Sequence, residues 1–138
     1  MARVGILVDT DILIDSFNTG QHAAVLDDPR NGIYYSVATR KELLTKPGLK
    51  DSERQAILEA LRGFRLVPVT RAVAARYTAV PSRSPRLERE DALIAATAIE
   101  KRLPLMTRNW RHFREVEGLT LYGGPSCRCA RSTPAGRR

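Results

Sequence analysis

The sequence predicts an α/β fold, an α/β/α sandwich around a mostly parallel central sheet. Three observations lead there. Short apolar runs alternate with segments of helical periodicity, and strands separated by helices pair in parallel through right-handed crossovers. The 138 residues suffice for one domain, which at this length buries about two-thirds of its unfolded surface without a disulfide or structural metal. With 43% hydrophobic and 28% charged residues, the composition is that of a globular chain rather than a disordered one.

Val4 to Val8 is a short, β-branched apolar run and reads as a buried strand. Asp9-Thr10-Asp11 ends it, and Ile12, Leu13 and Phe17 continue at helical spacing until Asn18-Thr19-Gly20. His22 to Leu26 suggests a second, short helix, and Asp28 to Gly32 has the composition of a turn. Ile33-Tyr34-Tyr35 is the next strand. Ser36 then caps a helix through Ala38, Glu42 and Leu44, which Pro47-Gly48 stops. Asp51-Ser52 opens a helix that ends at Gly63. In the strand Leu66-Val67-Pro68-Val69 the proline favours an edge or terminal position.

Thr70 caps a helix to about Ala79, and Pro81 to Pro85 reads as a loop. Glu88 to Arg102 is the most apolar helix, with scarcely any polar face. Leu105-Met106 is a short strand, Trp110 to Glu115 a short helix, and Leu119 to Tyr122 a last strand. This divides the chain into a domain over 1–122 and a tail over 123–138, whose Gly, Pro, Ser and Arg content predicts disorder.

Composition excludes some classes. The longest strongly apolar stretch, Ala92 to Ile99, falls far short of the ~20 residues that a bilayer crossing needs. The N-terminal apolar run is too short for a secretory core, so a cytoplasmic protein is expected. Cys127 and Cys129, one residue apart and without a second pair, are expected to be inert reduced thiols. Half of the net charge of +8 sits in the tail, on Arg128, Arg131, Arg137 and Arg138. A basic balance favours polyanionic partners, nucleic acid first.

Ligands of parallel sheets bind outside the carboxyl ends of the strands. Asp9 follows the first strand, Glu42 lies on the helix after the second, Asp91 opens the most apolar helix, and Thr107-Arg108-Asn109 follow the fourth strand. Carboxylates gathered on one rim repel, which raises their pKa unless a cation is present. Mg²⁺ or Mn²⁺ would cancel that repulsion and activate a water for attack on a phosphodiester. Plainer roles are open to each acid. Asp9 suits a helix N-cap, Glu42 a solvated helix face, and Asp91 the positive end of a helix dipole.

Four segments carry a resemblance. Leu7-Val8-Asp9-Thr10-Asp11-Ile12-Leu13-Ile14-Asp15 is similar to the opening strand and helix of PIN domains, specifically the VapC toxins of toxin–antitoxin pairs. Ser36 to Leu44 resembles their second motif, Asp91 to Ala98 the third, and Met106 to Phe113 the fourth, in the right order and spacing. The resemblance implies a Mg²⁺-dependent endoribonuclease, homodimeric and silenced by a cognate antitoxin. It implies that Asp9, Glu42 and Asp91 are the catalytic, metal-binding acids and that Thr10 and Thr107 orient the site.

The sequence departs from the family where a fourth acid is usual. Asn109 and His112 stand there instead. Asn109 offers a neutral carbonyl oxygen as a weaker substitute ligand. His112 suits phosphate contact or a structural role, and Glu88 is a further candidate to compensate. Arg108, Arg111 and Arg114 recur every third residue and would bind RNA phosphates if they share a helix face near the rim; Arg83, Arg86 and Arg89 could flank the other side. A solvated charged face is the alternative for both sets.

Two other functions compete with the nuclease. Asp9-Thr10-Asp11 after a strand also resembles the first motif of haloacid dehalogenase-like phosphatases, but Lys101 lies inside a helix and no acidic pair follows Thr107. A PIN fold that lacks activity and works as an RNA- or antitoxin-binding module is the other.

Overall fold

A computed structural model describes residues 4–83 and 87–123. The expected tail, with Cys127 and Cys129, lies outside the described residues apart from Gly123, as does Arg86. The elements are β1 (Val4–Val8), α1 (Thr10–Thr19), α2 (Ala23–Leu26), β2 (Asn31–Ser36), α3 (Val37–Leu44), α4 (Asp51–Leu61), β3 (Arg65–Val67), α5 (Arg71–Arg83), α6 (Arg89–Lys101), β4 (Leu105–Met106) and α7 (Trp110–Phe113).

The four strands form one sheet in the order β3-β2-β1-β4, and every pairing is parallel. β1 is central because its side chains are apolar on both faces. Leu7 joins one core cluster, with Leu105, Phe113 and the apolar residues of α6. Ile6 and Val8 point the other way, into a cluster with Ile12, Leu13, Ile33, Leu43 and Leu61. The period-2 alternation of a strand thus gives two cores from one apolar run, with helices over each face.

Helix α6 is buried because small residues let it approach its neighbours closely. Ala92, Ala95 and Ala96 have no exposed surface, and neither does Ile94 between them. The helix packs on α5 and α3. As the crossover into β4 it runs against the strand direction, so Asp91 in its first turn lies toward the carboxyl edge of the sheet and Lys101 at the opposite end.

Some boundaries differ from the sequence reading. β3 stops at Val67 because Pro68 has no N–H to continue the ladder, and it occupies the sheet edge as its proline predicts. Helix α5 runs through Pro81 to Arg83 instead of ending near Ala79. A proline in the last turn gives up a single backbone bond. The expected last strand is reduced to one parallel bridge between Leu105 and Leu121. Around it the Leu105 N–H donates to Thr120 (2.8 Å) and the Tyr122 N–H donates to Leu105 (2.8 Å), which covers the outer edge of β4.

Candidate active site

The carboxyl ends of β1, β2 and β4 lead into Asp9, Ser36 and Thr107 on one rim. Asp9 has extended backbone (φ −77, ψ 162) and caps α1, so its side chain turns back over the helix start. Its Oδ1 accepts from the Thr10 N–H at 2.8 Å, and its Oδ2 accepts from the Thr107 hydroxyl at 2.7 Å. The carboxyl is 4% exposed and fixed at both oxygens. Burial, reinforced by the charge of Asp11, pushes its pKa up to about 7. The bonds from Thr107 and Thr10 oppose that rise, and the charge of Asp91 adds to it.

Asp91 is also raised, to about 6, by burial first and then by the charges of Glu88 and Glu42, with His112 opposing. The charge of Asp91 thus reaches Asp9 and that of Glu42 reaches Asp91, although the N-cap of α1, α6 and α3 supply the three acids separately. Glu42 is the exposed member. Its Oε1 accepts from the Thr10 hydroxyl at 2.7 Å, and Thr10 Oγ1 lies 3.1 Å from Thr39 Oγ1. Ser36 anchors that end of α3 by accepting from the Thr39 N–H at 3.1 Å.

Buried carboxylates held against their charge, at the carboxyl edge of a parallel sheet, call for comparison with known proteins. A sequence profile of the PIN domain matches residues 6–119. The chain belongs to the PIN domain family. Ribonuclease VapC10 of Mycobacterium tuberculosis is 34% identical over 122 residues, covering 83% of this chain and 90% of that relative. Ribonuclease VapC1 of Methanocaldococcus jannaschii is 28% identical over 124 residues, covering 85% and 86%. Among solved structures, a toxin–antitoxin complex from Klebsiella pneumoniae shares 32% identity at a TM-score of 0.67, covering 83% of this chain and 95% of that one.

In this PIN domain the first motif supplies one acid more than the sequence reading assigned. Asp11 is buried and its pKa is raised, mainly by desolvation. Its Oδ2 accepts from the Arg108 N–H at 3.1 Å and lies 3.4 Å from Thr107 Oγ1. Its Oδ1 is buried with no hydrogen-bond partner among the described residues. The spacing Asp9-Thr10-Asp11 was the available signal. An acid two positions into a helix reads as a dipole complement, so the partners from the distant loop were needed to reveal it.

The fourth motif divides in two. Thr107 is at the centre, bonded to Asp9 and accepting from the Asn109 N–H at 3.0 Å. Asn109 itself is exposed, and its side chain does not cap α7. His112 is close enough for its charge to lower the pKa of Asp91. The three arginines do not share a helix face, because α7 begins only at Trp110 and Arg108 precedes it. The Arg108 Nε pairs with Asp15 Oδ2 at 3.1 Å, and the same oxygen meets His22 Nε2 at 3.1 Å. Arg111 and Arg114 instead lie over the Trp110 ring, each with Cζ 5.6 Å from its centroid.

The donor set suits a hard divalent cation. Burial first and neighbouring carboxylates second push the pKa of Asp9 and Asp91 up, and Asp11 Oδ1 is a buried acceptor without a donor among the described residues. Among the described residues no group of three or more His, Cys, Asp or Glu side chains is already arranged to hold a metal ion. An apolar groove of about 610 Å³ between α1, α3 and α4 opens beside this centre, sharing Thr10 and Glu42 with it and lined by Ile14, Phe17, Leu43 and Ile57. No described helix is long and apolar enough to cross a membrane.

Proposed function

We propose that this PIN domain is a Mg²⁺- or Mn²⁺-dependent endoribonuclease that hydrolyses RNA phosphodiester bonds and serves as the toxin of a toxin–antitoxin pair. The supporting observation is the coupling of Asp9 and Asp91, two carboxyls from different elements that are both pushed toward neutrality on the same rim. The names of its relatives, two ribonucleases and a toxin–antitoxin complex, favour the same reading. The apolar groove beside Glu42 gives an antitoxin a surface from which to block the site. A homodimer is proposed on the family resemblance.

Asp9, Asp91 and Glu42 would hold the cation, with Asp11 Oδ1 as a further acceptor. A bound divalent ion lowers the pKa of a coordinated water and offsets charge on the phosphate. The chain's own residues prepare for this. The Thr107 hydroxyl and the Thr10 N–H prevent Asp9 from rotating, and the Thr10 hydroxyl aims Glu42. With a cation held there, the raised pKa of Asp9 and Asp91 would fall back toward the ordinary carboxylate range.

Purified protein is expected to cleave RNA with Mg²⁺ or Mn²⁺ and to stop with chelator. Asp9→Asn and Asp91→Asn should each lower the rate by about 100-fold or more, beyond what loss of a supporting residue costs. Activity that survives chelation or both substitutions would rule the mechanism out. The neutral, exposed Asn109 in place of an acid supports a second reading, a binding module without catalysis. Calorimetry in which neither Mg²⁺ nor Mn²⁺ binds would favour it. The phosphatase reading fails on geometry, because Lys101 closes α6 at the far end from the acids.

A further inference from the structure

We propose that Trp110, Arg111 and Arg114 form the grip that holds a single-stranded RNA segment at the site, a reading that rests on the ribonuclease proposal. The indole and guanidinium planes stack with a base while the guanidinium N–H groups bind the flanking phosphates.

The placement comes first. Trp110 opens α7 three residues after Thr107, whose hydroxyl holds Asp9. The N–H of Asn109, the residue before Trp110, donates to that same hydroxyl at 3.0 Å, so the start of this helix is tied to the rim that carries the acids. The ring is partly buried and packs against the core cluster of Leu105 and Phe113. It is therefore fixed in position with part of its surface open.

Charge is the second argument. Asp9, Asp11, Glu42, Glu88 and Asp91 make the centre repulsive to phosphate, so an RNA strand needs cations close by. Arg108 is poorly suited, because its Nε is committed to Asp15. Arg111 and Arg114 are exposed, and their recorded contact is with the Trp110 ring; neither has a carboxylate at ion-pair distance among the described residues. An exposed cation–π contact is weak beside a charge-assisted bond to phosphate, so the ring orients the guanidinium groups without locking them. Stacking on aromatic and arginine planes accepts any base, since every base has a π face. An acidic peptide could meet the two charges but has nothing to stack.

Trp110 is the one tryptophan of the chain, so its emission reports on this position alone. Full-length protein in chelator, which prevents cleavage, is titrated with an unstructured RNA oligonucleotide, an abasic strand of the same length, and oligoglutamate. RNA should quench Trp110, the abasic strand should compete without quenching, and oligoglutamate should do neither at comparable concentration. With labelled RNA, Arg111→Gln and Arg114→Gln should each reduce the slope of log K against log salt by about 0.7. Trp110→Leu should weaken binding roughly 5- to 150-fold, while Trp110→Phe, which keeps a ring on the core, retains most of it. Unchanged slopes, or RNA binding without any change in emission, would overturn the grip. Tighter binding of oligoglutamate would assign the surface to a protein partner instead. Cleavage in Mg²⁺ without quenching sinks the grip and spares the ribonuclease; quenching without cleavage in either metal does the reverse.

Discussion

The hydroxyl of Thr107 touches Asp9, Asp11 and the Asn109 amide, so one oxygen joins the loop after β4 to the loop after β1. Its bond to Asp9 lowers a pKa that burial has raised. Thr107→Val keeps the shape and removes that bond, which should move Asp9 further up. A hydrogen bond to a charged group is worth about 1.5–3 kcal/mol, and one pH unit corresponds to about 1.4 kcal/mol. The acid limb of the cleavage profile should therefore shift upward by about one pH unit, with activity recovering at high pH, and Thr107→Ser should restore the original profile. A uniform loss at every pH would mean that the hydroxyl does not set the ionisation of Asp9. At this scale Asp9, Glu42 and Asp91 were legible because each stands at a strand end or helix start inside a motif. Arg108 was less so, since a spacing of three residues carries no sign of Asp15 as its partner. Asp11 stayed hidden because its partners lie 96 and 97 residues away.

Among the elements, α6 has the least room. Ala96 has no exposed surface on a helix pressed between the sheet and its neighbours. Ala96→Leu adds volume that this packing cannot take without shifting backbone, and should cost about 1–3 kcal/mol. Urea unfolding should show the midpoint falling with little change in slope; an unchanged midpoint would reveal slack that the burial does not suggest. The order and type of the elements followed from apolar periodicity, which the buried parallel sheet and its covering helices enforce. Their limits did not. β2 begins at Asn31 rather than at Ile33 because Asn31 and Gly32, turn-like in composition, pair with Val4 and Gly5. The Leu119–Tyr122 run has strand composition but only β4's two residues to pair with, so a single bridge forms. Local composition does not contain the length of a partner strand.

For the whole molecule, the raised acids link stability, pH and metal. Asp9 and Asp91 bind protons more tightly in the folded chain than in the unfolded one. Their stabilising contribution is full below the ordinary aspartate pKa of about 3.9 and is lost as pH rises through about 6 and then about 7. The loss is on the order of a few kcal/mol for a group as buried as Asp9. A divalent cation binds the ionised form, so it restores stability only where the protons have left. Scanning calorimetry should show Mg²⁺ raising Tm clearly at pH 8 and little at pH 5.5. An equal shift at both values would place the metal away from these carboxyls.

The Asp9–Thr107 bond has one more consequence, in time rather than in space. It closes a loop of 98 residues, and its two ends leave the ribosome far apart. At roughly 5–20 residues per second, Asp9 is made about 5–20 s before Thr107. Throughout that interval the nascent chain carries its first acids without the hydroxyl that fixes them. The site is among the last parts of the molecule to come together, and a partially synthesised chain has Asp9 and Asp11 but not their arrangement.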